Sequence, residues 1–186
     1  MRRLPTALLT GAFVAAALGL SLLVPTDQVQ QAPYVRTIPG FDARTETREF
    51  VATVSRARLA DRVQTPEWTG TTDGVWLVVD ITFESRIDKA SLAGSLRVGQ
   101  TDFRTTSRTD ETIDQPFAAP GIPWSGSMLF ELPASVLDDP DASSAVLQLA
   151  TQTDPRLDGV LELTFDLASL QRERSIPLTE PGRVPA

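Results

Sequence analysis

The sequence predicts an all-β protein: an antiparallel β-sandwich of about seven strands behind a single N-terminal transmembrane helix. Three observations predict it. Across residues 43–170 the apolar side chains recur every second position, the period of strands with one buried face. Those runs are short and bounded by Gly, Pro, Asp and Thr clusters, as in sandwiches. Met1-Arg2-Arg3 is followed by 21 residues, 4–24, that carry no charge.

Wound as a helix at about 1.5 Å per residue, that run is about 31 Å long, the thickness of a bilayer's hydrocarbon core. Arg2 and Arg3 flank it and favour the cytoplasmic side. The expectation is a single-pass signal-anchor over residues 1–24 in the cell membrane, with the main domain extracytoplasmic. A cleaved signal peptide is the competing reading. Its apolar region is shorter and ends at a small-x-small site. Here Ala15, Ala16 and Ala17 lie inside the run, and Ala32 sits between Gln31 and Pro33.

Residues 25–42 read as an extracytoplasmic linker. Pro25, Pro33 and Pro39 interrupt it and Gln28, Gln30 and Gln31 make it polar. Proline removes a backbone donor, which disfavours a regular helix or a central strand. The sandwich domain is expected over 43–170. Phe50, Ala52 and Val54 face one way; Ala57 and Leu59 resume after a step of three, which predicts a bulge near Ser55-Arg56, where the strand passes between sheets. Thr69 to Gly74 reads as a turn cluster. Val75, Leu77, Val79, Ile81 and Phe83 then alternate with Trp76, Val78, Asp80 and Thr82, the pattern of a mid-sheet strand. Leu96 and Val98 lead through Gly99-Gln100 into Phe103, a hairpin. Met128, Phe130 and Leu132 share a face that Pro133 ends. Val146, Leu147 and Leu149 form another run. After the turn at 155–159, Leu161, Leu163, Phe165 and Leu167 alternate with polar residues. Helical signal is confined to single turns at 88–92 and 134–138. Residues 171–186 carry Pro177, Pro181 and Pro185 and read as a polar tail, with one short extended piece at 175–178.

Composition narrows the chemistry. Net charge is −7, and −9 once Arg2 and Arg3 are set aside, a poor surface for nucleic acid or anionic lipid. Lys89 is the single lysine among 17 basic residues, which points to GC-rich coding of the actinobacterial kind. The chain has no cysteine, so neither disulfides nor N-terminal lipidation on cysteine is available.

The strand at 75–83, the hairpin after it, and then Pro120-Gly121, Gly126 and Phe130-Glu131-Leu132-Pro133 together resemble the telokin-like, immunoglobulin-like extracellular domains of Gram-positive bacteria, the family of the mycobacterial secreted immunoprotective antigen. The resemblance spans about residues 45–167. It departs where the family strand leads to an Asn, since Glu84-Ser85 stands there. It implies an immunoglobulin-like sandwich and an exported location, and it implies no activity.

Without His or Cys, the common nucleophilic triads are absent and structural zinc sites lack their usual ligands. No cofactor or metal is expected. Asp73, Asp102, Asp110, Glu111 and Asp114 are the carboxylates that a glycosidase pair would need, but solvated acids are the simpler reading. Asp138-Asp139-Pro140-Asp141 reads as an acidic turn rather than a calcium loop. Trp68 and Trp124 are candidates for a sugar platform, while Trp76 fills its strand's second face. The expected function is therefore a non-catalytic, membrane-anchored interaction or accessory module of the cell envelope, partnered by another envelope protein. The alternative is an exported carbohydrate- or ligand-binding domain, glycan-active through carboxylates at most. The candidate contact surface is the connection 108–124, long for a sandwich and rich in apolar residues: Ile113, Phe117, Ile122 and Trp124. The competing role, which has the edge, is that these side chains plug the open end of the sandwich.

Overall fold

The structure, a computed structural model, describes Phe13 and residues 31–184. Pro33–Ala186 forms one compact unit. Among the described residues no helix is long and apolar enough to cross a membrane; the anchor expected over residues 4–24 lies, Phe13 apart, outside them.

The unit is a β-sandwich of two sheets. Its strands are β1 (Tyr34–Thr37), β2 (Thr45–Glu46), β3 (Phe50–Gln64), β4 (Thr69–Ser85), β5 (Ala93–Val98), β6 (Thr101–Arg104), β7 (Trp124–Leu132), β8 (Ala145–Ala150), β9 (Gly159–Phe165), β10 (Arg172–Glu173), β11 (Ile176–Pro177) and β12 (Gly182–Arg183). One sheet has the order β1-β9-β8-β5-β6; the other has the order β10-β3-β4-β7-β12, with β2 and β11 also paired to β3. The strands that the two-residue period predicts are β3 to β9. Of the additional short ones, β1 comes from the segment read as linker, β2 from the start of the sandwich domain, and β10 to β12 from the segment read as tail.

The alternation decides which sheet face meets which. Val75, Leu77, Val79, Ile81 and Phe83 of β4 and Met128, Phe130 and Leu132 of β7 point into one core with Leu96, Leu147, Leu149, Leu161 and Leu163 of the five-stranded sheet. Each loses nearly all its exposure, worth about 1.5–3 kcal/mol per large apolar side chain. The second face of β4 is apolar too, because it is covered. Trp76 and Val78 pack with Ala60, Val63 and Leu129 under Ile176 and Leu178 of the C-terminal segment. Beside that patch the face turns polar. Asp80 accepts from Arg58 Nη2 at 2.9 Å and from Ser127 Oγ at 2.7 Å, and Arg58 Nη1 reaches Glu173 at 3.3 Å. These bonds tie β3, β4, β7 and β10 together.

Several expectations are corrected. The linker expected over 25–42 is shorter, because Tyr34–Thr37 pairs in parallel with β9 and Ile38 enters the core. The strand sits at a sheet edge, where flanking prolines are tolerated. The polar tail joins the sheets beyond the extended piece expected at 175–178, which forms as β11: β10 and β11 run parallel to β3 and β12 pairs with β7, so the sandwich is not wholly antiparallel. A bulge lies between Val54 and Arg56 as the step of three predicts, but β3 stays in its own sheet through it. Thr69 to Gly74 is not a turn. Thr65 N–H donates to Trp68 O at 2.8 Å to close the hairpin earlier, and the turn-forming residues make a second irregularity opposite Asp61. Gly74 is required there, since a Cβ would strike the Leu132 carbonyl. Helical turns form at Ala134–Asp138 and Pro140–Ser144, both 3₁₀, and none forms at 88–92.

Candidate functional site

The informative end of the sandwich is the one where the chain enters. Tyr34 N–H donates to Asp158 O at 2.9 Å, and Gly159 N–H to Glu49 Oε2 at 3.1 Å. Arg86 N–H donates to Glu49 O at 2.8 Å, Ala118 N–H to Ala90 O at 2.8 Å, and Gly121 N–H to Ser85 O at 2.9 Å. These bonds gather β1, the β2–β3 turn, and the connections 86–92, 113–121 and 151–158 at one end. Glu49 is the pivot between the sheets. Burial by itself would raise its pKa, but hydrogen bonds from Arg48, its own amide, the Gly159 amide and Thr47 outweigh that and hold it below its usual 4.5.

From this end a groove of about 500 Å³ crosses the outer face of the five-stranded sheet. Its floor follows from strand parity. Leu147, Leu149 and Leu161 point inward, so Gln148, Ala150 and Val160 point out. Val35 pairs with Val160 and Ala93 with Ala150, which lays small apolar side chains across four strands. Beside them Ser95 Oγ donates to Gln148 Oε1 at 3.3 Å and Gln148 Nε2 to Glu162 Oε1 at 2.6 Å, which fixes the amide's orientation. At the far wall stand Arg104 and Asp114. The Oδ1 oxygen of Asp114 is buried without a hydrogen-bond partner, and Arg104 makes no ion pair among the described residues. A buried acceptor left unpaired costs about 1–3 kcal/mol, so this oxygen is suited to a donor brought by a ligand.

The residues expected as one contact surface part company. Ile113 is 1% exposed and belongs to the core, so the plugging role is the one it takes. Ile122 and Trp124 are half-buried, with Trp124 packed on the core and Arg183 over its ring at 5.8 Å. Phe117 alone stands out, 60% exposed, with Lys89 Nζ 5.4 Å from its ring centroid. Trp68 and Trp124 form no common platform. Trp68 lies in the β3–β4 turn, edge-on to Trp76, with Arg108 over both rings, whereas Trp124 pairs with Phe83 at the opposite end of β4. Among the described residues no three acids converge as a metal would require. In the acidic run, Asp139 Oδ1 accepts from the Asp141 amide at 2.9 Å and starts a 3₁₀ turn. Arg2 and Arg3 lie outside the described residues.

The sequence pattern does not mark the groove residues as a site. They come from five strands far apart in sequence. The one signal was apolar Ala150 and Val160 at outward positions, where a solvated face would be polar.

The fold places the chain among β-sandwich proteins. Comparison with known proteins adds little more. No protein-family model matches, and no curated protein matches. Among solved structures the chain is similar to an uncharacterised β-sandwich protein from Clostridium difficile, with 8% identity over 76% of this chain and 99% of that one and a TM-score of 0.51. It also aligns with a candidate lipoprotein from Staphylococcus aureus, with 9% identity over 72% and 93% of the two chains and a TM-score of 0.42.

Proposed function

We propose that this chain is a non-catalytic binding module of a bacterial cell envelope. Residues 4–24 hold it in the membrane as a single-pass helix, and an immunoglobulin-like sandwich of the telokin-like kind stands outside. Its partner is an extended segment of another envelope protein, bound in the groove across the five-stranded sheet. The observation that carries this reading is the groove: a small-residue floor of Val35, Ala93, Ala150 and Val160 beside an oriented Gln148, with the unpaired Asp114 oxygen at its wall. Main chain can lie close over such a floor, and Asp114 and Gln148 supply polar anchors. Among the described residues no aromatic side chain lines the groove, which weighs against a sugar.

The test is cross-linking in intact membranes. Ser95→Arg fills the groove at a half-buried position, and Thr101→Arg places the same charge on the far hairpin. Ser95→Arg should lose the cross-linked envelope protein that the parent chain and Thr101→Arg retain, at an unchanged melting temperature. Equal cross-linking in all three would remove the groove from the proposal. The orphan Asp114 oxygen also suits a small ligand that carries a donor. Mass spectrometry of the natively purified protein would show such a ligand, and Asp114→Asn would release it.

A further inference from the structure

The exposed apolar side chains of the sandwich are not scattered. Tyr34 is 70% exposed, Ile87 53%, Phe117 60% and Leu157 65%, and all four lie at the end where the chain enters. Val184 joins them, since its N–H donates to Pro123 O just before β7. Val35, next to Tyr34, lies on the groove floor, and Phe41, at the other end, packs its ring against Phe165. Single exposed apolar residues are ordinary, but several at one end mark a contact. Leu157 adds a second observation. It holds φ at 62°, a left-handed conformation that costs a branched side chain and suits Gly or Asn. The turn keeps a leucine where it is both strained and wet.

The chain itself says what meets this end. β1 begins at Tyr34, so only residues 25–33 separate the apolar run 4–24 from the sandwich. Nine residues reach about 30 Å when fully extended. The tether is therefore short, and it joins the sandwich beside Tyr34 and Leu157. We infer that this end docks on the bilayer surface, with Ile87, Phe117, Leu157 and Tyr34 immersed at the level of the lipid headgroups. The inference rests on residues 4–24 being the anchor. Charge is not the driving force. Arg48 is paired with Glu49 at 2.8 Å and Arg86 with Glu46 at 3.3 Å, and Asp88 and Asp158 offset Lys89. Docking then comes from apolar burial and should survive high salt. It would leave the groove facing sideways along the membrane, open to a neighbouring protein.

The chain has no cysteine, so each introduced one is unique. Full-length protein carrying Ile87→Cys, Phe117→Cys, Leu157→Cys or, on the far hairpin, Thr101→Cys is labelled with a fluorophore and reconstituted in phosphatidylcholine vesicles. A quencher on the lipid acyl chains should quench the first three several-fold more than the fourth, in low and in high salt alike. In a second arm the label sits at Lys89→Cys, and Ile87, Phe117 and Leu157 are changed together to Ser. These side chains are exposed, so the fold is kept, and quenching should fall to the level of the far hairpin. Equal, weak quenching at all four positions overturns the docking. So does shielding of the three tips that needs an added envelope extract, which would make the end a protein interface. Carbonate extraction reads the anchor separately. Protein released by carbonate but quenched at its tips keeps the docking and loses the anchor. Protein retained with its tips in water does the reverse.

Discussion

At the residue scale, the contact between the sheets at the groove end depends on two small facts. Gly159 leaves space that a Cβ would take from Thr47 and the Glu49 carboxylate, and the Gly159 amide donates to that carboxylate. Gly159→Ala should therefore lower the melting temperature, although alanine is ordinarily the better strand residue. Glu49 has its pKa lowered from 4.5 in the folded chain. A lowered carboxylate contributes stability that is complete above the unfolded value and is lost as pH falls through the folded one. Glu49→Gln should thus cost stability at pH 7 and cost progressively less as the pH is taken below 4.5. Denaturant titrations of both chains at pH 7, 4.5 and 3 measure the difference. A gap that stays constant would mean that Glu49 titrates normally.

At the scale of elements, the connection 105–123 is half core and half surface, and two substitutions separate the halves. Ile113→Ser buries a hydroxyl and opens a cavity, and should cost upwards of about 3 kcal/mol. For a domain of this size that is roughly 10 °C in melting temperature. Phe117→Ser removes an exposed ring and should stay within about 0.5 kcal/mol. The C-terminal segment makes the same point in the other direction. Its prolines and charges disguise Ile176 and Leu178, which cover Trp76, Val78 and Leu129. Ile176→Ser should destabilise the domain about as much as a core substitution, and thermal melts followed by tryptophan fluorescence would show it. A melt unchanged from the parent would mean that the segment only rests on the sheet.

At the scale of the molecule, a 20.2 kDa chain without a cysteine must depend on burial alone. Unfolding should be cooperative, β-rich by circular dichroism and insensitive to reducing agent. The two apolar clusters lie on opposite faces of the β4 sheet, so the second fails only if the C-terminal strands detach first. A separate low-temperature transition, seen in tryptophan fluorescence but not in the far-ultraviolet spectrum, would show that the segment melts as its own unit.

The strands β3 to β9 are legible in the sequence because side-chain direction along a strand is local: Leu161, Leu163 and Phe165 alternate with Glu162 and Thr164 whatever surrounds them. The hairpin at Gly99-Gln100 and the stop at Pro133 are legible for the same reason, since they rest on φ and on a missing donor. Gly99 does take φ +57°. What depends on partners distant in sequence is not legible. Tyr34–Thr37 and Arg172–Glu173 are too short to carry a period, and they are strands only because an open edge of β9 or β3 supplies hydrogen bonds, whereas Ile176–Pro177 falls in the extended piece expected at 175–178. The bulge at 72–74 looks like a turn because the same residues suit both. Ile113 and Phe117 look alike on paper, and only the packing of the sandwich's end makes one core and the other tip. The groove and the apolar end were decided last and most completely by tertiary structure. Each is assembled from four or more separate segments, and no segment alone has a pattern that would require it.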